Sequence, residues 1–289
     1  MGLIDFKYYS EAMASDSANW VEKSLPTLVG VFIGFGLNRL YEFVKERNEI
    51  KKSGEEFINE MELVRETVLK QAESIEITLN QLSSNDPSKL RLVNYIMADT
   101  ERYKSINRLH VYRYFSKKLK PDSKTARRVV NKLYKSVLVA ETESIRMSSY
   151  FDEFLSAGTN IHKEFNKALN LLASDFNEMI RAIEKDDRNP KQDEFIMAMF
   201  PIVDLIRKNQ DKDYIQLIDI FCRPAAEKLN DFSIDDRTII LGRNLKICFQ
   251  CFNDYNAANK KLIFLLQQLE ITYKSLEIEI LNNSEILQK

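Results

Sequence analysis

The sequence predicts an all-α protein, with an N-terminal single transmembrane helix followed by an elongated bundle of long, heptad-patterned helices. Three observations predict it. Glycine and proline number only 7 and 6 in 289 residues, against average usage of roughly 7% and 5%. Strand-and-turn folds need those residues at their corners, so their scarcity favours long helices with few connections. Apolar residues recur at alternating spacings of three and four through most of the chain, which marks one face of a helix. Finally, Ser24 to Asn38 carries no charge although 29% of all residues are charged.

That uncharged stretch is the first element. Its 15 residues would rise about 22 Å as a helix, short of a hydrocarbon core of about 30 Å. A span must therefore draw on its flanks. The predicted anchor covers residues 24–44, taking in Leu40, Phe43 and Val44, with Trp20 and Tyr41 as interfacial aromatics and Lys23 and Arg39 snorkelling toward headgroups. Three of the seven glycines fall here; in a water-soluble helix each costs about 1 kcal/mol against Ala, whereas in lipid small residues let helices approach. Gly30, Gly34 and Asn38 share a face at four-residue spacing, which predicts a helix–helix contact in the membrane and a homo-oligomer.

The preceding segment is acidic (Asp5, Glu11, Asp16, Glu22) and no small-residue cleavage site follows the run, so the sequence predicts an uncleaved anchor with Pro26 in the first turn of its helix. Arg39, Lys45, Arg47, Lys51 and Lys52 downstream outnumber Lys7 and Lys23 upstream. That bias predicts a single-pass protein of the cytoplasmic (inner) membrane, N-terminus outside. The expected organisation is a short extracytoplasmic segment over 1–23, the anchor over 24–44, a juxtamembrane helix over 45–84 and a cytoplasmic helical bundle over 85–289.

Four apolar seams define the remaining long elements. Phe57, Met61, Val64, Val68, Ile75 and Leu82, with Gln71 and Thr78 as polar members, predict one helix from the anchor to about Leu82, loosened at Gly54. Ser83 to Pro87 should break it. Ala126, Val130, Leu133, Val137, Ala140, Met147, Phe151 and Phe154 predict a second helix ending near Gly158. Ile161, Phe165, Ala168, Leu172, Phe176, Met179 and Ile183 predict a third, stopping before Pro190. Shorter helices are expected over Glu194–Lys208 and Asp213–Asn230, the latter interrupted at Pro224. The last seam is Leu241, Leu245, Cys248, Phe252, Tyr255, Asn259, Leu262, Leu266, Leu269, Tyr273, Leu276 and Ile280. Asn259 is its one amide, and a lone polar seam residue commonly sets register or oligomer state.

Chemistry-bearing groups are thin. No catalytic residue, metal ligand or cofactor is expected, and the sequence predicts a non-enzymatic protein. His110 and His162 are the only imidazoles, and there is no glycine-rich phosphate loop. Arg102 stands too far before His110 for the Arg–His pair of helical HEPN ribonucleases. Cys248 and Cys251 lie within an apolar helix without the second pair that a zinc site needs.

One region departs from neutrality. Residues 102–135 hold twelve Lys or Arg against the single Asp122, in a chain whose net charge is −1. Arg113, Lys117, Lys118, Lys120, Lys124, Arg127 and Arg128 are candidate contacts for an anion, whether anionic lipid, nucleotide or nucleic acid. Tyr103, Tyr112, Tyr114, Phe115 and Tyr134 are interleaved as candidate stacking surfaces. The reading that follows is a membrane-anchored, self-associating interaction, scaffold or sensor protein with membrane lipid and an unidentified protein among its partners. The alternative is a membrane-perturbing effector of a bacterial antiphage defence system, triggered through its cytoplasmic helices.

Overall fold

The computed structural model describes residues 4–83, 92–96, 101–120, 123–209, 212 and 214–289, with side chains except at 4–26, 28, 101 and 214. The described residues are helical apart from short connections, and no strand occurs among them. In chain order the helices are α1 (Ile4–Ser83), α2 (Glu101–Ser105), α3 (Arg108–Lys118), α4 (Ser123–Lys185), α5 (Glu194–Lys208), α6 (Tyr214–Leu217), α7 (Arg223–Asn230) and α8 (Asp236–Gln288). A 3₁₀ turn at Pro190–Gln192 precedes α5, and a π turn at Ile218–Cys222 joins α6 to α7.

The seams are the core. Every member of the first, from Phe57 to Leu82, is buried, including Gln71 and Thr78. Along α8 each seam residue from Leu241 to Ile280 is buried except Phe252, which is half-buried. The predicted Glu194–Lys208 helix is α5, closed at its start by Asp193, whose carboxylate accepts from the Ile196 N–H at 3.0 Å.

Contacts divide the chain into two units, residues 1–64, 100–135 and 279–289 in one, and 65–99 and 136–278 in the other. In the first, α1 meets α2, α3 and the start of α4 through a cluster of rings. Phe57 lies 6.2 Å from Tyr103, 6.1 Å from Phe115 and 5.3 Å from Tyr134. In the second, α4 and α8 run antiparallel. The Tyr273 hydroxyl donates to the Ala140 carbonyl at 3.3 Å and Asn244 to Asp175 at 2.7 Å. Arg65 of α1 donates to Glu277 of α8 at 2.6 Å.

Gln71 organises the extended residues before α2. Its amide donates to the Val93 carbonyl at 3.0 Å and its oxygen accepts from the Tyr95 N–H at 2.8 Å. A buried side chain thus satisfies two backbone groups that no helix or sheet serves. Asn94 is tied to α4 by accepting from the Ser144 hydroxyl at 2.6 Å and donating to Ser148 at 3.0 Å.

Four expectations are corrected. No helix among the described residues is long and apolar enough to cross a membrane. The transmembrane anchor over 24–44 is therefore not supported, because its uncharged part is short and its extension passes through Asn38, Arg39 and Glu42. Pro26 lies inside α1, which starts at Ile4, and not in a first turn. The chain does not break near Gly158, since α4 continues to Lys185. One glycine costs about 1 kcal/mol, which the packed seams on either side outweigh. Nor does Gly54 loosen α1: it is buried against Tyr114. The expected break at Ser83–Pro87, after Ser83 itself, and the Pro121–Asp122 turn lie outside the described residues.

Candidate functional site

The basic segment folds into α2, α3 and the start of α4, and α3 determines where its charges go. Asn107 caps α3, its side-chain oxygen accepting from the N–H groups of Leu109 and His110. Val111 and Phe115 are buried, the latter against Phe57. At the i, i+4 and i+7 positions of another face stand Arg113, Lys117 and, just past the helix end, Lys120, all exposed. Cations in and after a last turn also complement the negative end of the helix dipole.

How close α3 sits to α1 depends on Gly54. A Cβ there would come within 2.1 Å of Tyr114 Cδ1 and 2.3 Å of Cγ, so only glycine admits the ring. Beside this contact a groove of about 390 Å³ opens between the two helices. Phe43, Glu46, Arg47 and Ile50 of α1 line one side, and Arg113, Ser116, Lys117 and Lys120 the other. Glu46 pairs with Arg113. Arg47, Lys117 and Lys120 form no ion pair among the described residues, so the groove carries uncompensated positive charge beside apolar surface.

Other members of the basic segment are engaged elsewhere. Lys118 donates to the carbonyls of Leu287 and Gln288 at 2.9 and 2.8 Å, closing the C-terminal end of α8. The Arg108 guanidinium lies 4.4 Å over the Tyr134 ring and donates to Tyr112 Oη at 2.9 Å and Asn131 Oδ1 at 2.8 Å. Arg127 lies 5.9 Å over the Tyr112 ring. Lys124 and Arg128 are exposed outside the groove. Burial, opposed by Arg108, pushes the Tyr134 phenol up to about 12, which keeps it neutral.

The expected stacking surfaces are corrected here. Tyr103 and Phe115 are buried in the ring cluster, Tyr114 faces Gly54, and Tyr112 carries two guanidinium groups. These rings serve packing and cation contacts.

A second feature adjoins the groove. Ten large apolar side chains between Val29 and Val44 are exposed on all sides of α1, Phe32 the most at 74%. A Cβ added at Gly30, Gly34 or Gly36 would meet nothing within 4 Å, and Asn38 is exposed. Among the described residues, nothing covers this collar.

The remaining chemistry-bearing residues fall elsewhere. Cys222, Cys248 and Cys251 are free and buried, and Cys222 sits against Cys248, whose hydrogen bond, together with burial, raises its thiol well above the ordinary range. His162 is exposed and shares a 2.9 Å contact with Asn166. Asn259 is buried in the α8 seam with no partner for its Oδ1 among the described residues. No group of three or more His, Cys, Asp or Glu able to hold a metal occurs among the described residues.

No protein-family model, curated protein or solved structure matches this chain.

Reading by charge count alone places Arg113, Lys117 and Lys120 in the candidate site but leaves Arg47 as one flank charge among several. The missing signal was its position: Arg47 is one turn past Phe43, on the helix that α3 packs against through Gly54.

Proposed function

We propose that this chain is a self-associating helical interaction protein, without catalytic activity of its own, held at a membrane by the apolar collar of α1. The exposed collar carries the reading. A helix apolar on all sides belongs in a protein core or in lipid, and none of the other described residues covers this one. Each large side chain moved out of water contributes about 1.5–3 kcal/mol, so partial immersion is enough to retain the protein at a bilayer without a complete span. The Gly30, Gly34 and Asn38 stripe suits contact with a second copy, because its surface lies open and free of side-chain bulk. The remaining helices then form the surface that meets a protein partner.

Fractionation of cells tests this. The full chain should stay with membranes after a carbonate wash. Ile33→Gln, Phe35→Gln and Leu37→Gln together should move it to the supernatant with helix content retained, since Gln is a good helix former. A parent chain found in the supernatant would remove the membrane reading and leave the collar as an interface between proteins.

A further inference from the structure

We propose that the groove between α1 and α3 binds the phosphate of an anionic lipid headgroup. This rests on the membrane reading above and gives it a lipid preference. Three facts about the groove point the same way. Arg47, Lys117 and Lys120 converge on it, unpaired among the described residues, while Arg113 is held beside them by Glu46. Phe43 and Ile50 supply apolar lining. Phe43 also belongs to the exposed collar, which ends at Val44.

The groove therefore begins where the collar stops. A phosphate seated among the cations would leave its acyl chains to run along α1, against side chains that otherwise face water. Basic pockets beside membrane-embedded helices recognise lipid headgroups by this combination. Single-stranded nucleic acid is held by charge together with free rings for stacking. Here Tyr103 and Phe115 are buried and Tyr112 lies under Arg108 and Arg127, which favours the lipid.

Flotation of the full chain with vesicles tests the site. The parent should bind phosphatidylcholine vesicles through its collar and bind vesicles containing phosphatidylglycerol more tightly. Arg47→Gln, Lys117→Gln and Lys120→Gln together should remove roughly 100-fold of the anionic preference, taking about fivefold per charge near a surface. Binding to phosphatidylcholine and helix content should stay unchanged. Lys124→Gln, Arg128→Gln and Lys135→Gln, equal in charge but outside the groove, should keep most of the preference. Equal losses in the two triple variants would show diffuse attraction and overturn the site.

Binding to phosphatidylcholine with no gain from the anionic lipid would overturn the site while leaving the membrane reading intact. Binding to anionic vesicles alone would do the reverse, retaining the groove and removing the collar's role. Inorganic phosphate or a single-stranded oligonucleotide that binds the groove as tightly as the vesicles do would show a phosphate site without lipid selection, and the proposal would fall.

Discussion

Arg237 shows how single residues fix the connections between long helices. Its guanidinium donates to both oxygens of Asp193 at 3.0 Å, to Asp235 at 2.6 to 3.1 Å, and lies 4.5 Å over the Phe195 ring. It thereby joins the cap of α5 to the start of α8, all within one unit. Burial alone would raise Asp193, but hydrogen bonds from Arg237 and the Ile196 N–H outweigh it and hold the carboxyl below its ordinary value. Asp235 is lowered chiefly by its Arg237 hydrogen bond. Depressed carboxylates stabilise the fold above the unfolded value of about 3.9 and lose that contribution as pH falls through the folded ones. Arg237→Gln should therefore cost about 2 kcal/mol at neutral pH, where two partly buried carboxylates lose their partner. The gap to the parent should narrow at acid pH, below the unfolded value of about 3.9, as the depressed carboxylates protonate. Denaturant unfolding at the two pH values measures it, and a gap independent of pH would mean that Arg237 acts through packing alone.

At the scale of elements, the seams were legible because burial on a helix obeys its period, which the spacing of apolar residues records. Even Gln71 and Thr78 held their seam positions. What Gln71 does there was not legible, since its partners at Val93 and Tyr95 arrive by tertiary folding. Glycine was misread at Gly54 and at Gly158 for one reason: sequence reveals its cost to a helix but not what stands beside it. Gly158 has nothing within 4 Å where a Cβ would go, and Gly54 has the Tyr114 ring. Alanine should thus act oppositely at the two. Gly158→Ala should stabilise by about 1 kcal/mol through helix propensity. Gly54→Ala should destabilise by about 2 kcal/mol as Tyr114 is forced away, and adding Tyr114→Ala should cancel part of that clash. Thermal unfolding of the four chains decides it. Stabilisation by Gly54→Ala alone would show that α3 shifts freely and that the groove is not held in one shape.

For the whole molecule, the open question is what covers the collar. The uncharged run was plain in the sequence, but its insufficiency as a span follows from its length and from Asn38, Arg39 and Glu42 at its end. Association offers a way to bury what one short helix cannot. Gly30 and Gly34 lie four residues apart on α1 with clear space around both, and Asn38 continues the same face with an amide able to bond across it. Two copies packed along this stripe would hide part of each apolar surface and present the rest to lipid. Gly34→Leu tests that arrangement cleanly. Leucine adds apolar surface, favouring simple lipid immersion, and improves helix propensity by about 1 kcal/mol, so membrane retention should be unchanged or stronger. The same side chain would hold two backbones apart, so crosslinked oligomers in membranes should fall severalfold. If retention holds and crosslinking does not change, the Gly30, Gly34 and Asn38 stripe is not where copies meet, and its exposed face is left to lipid.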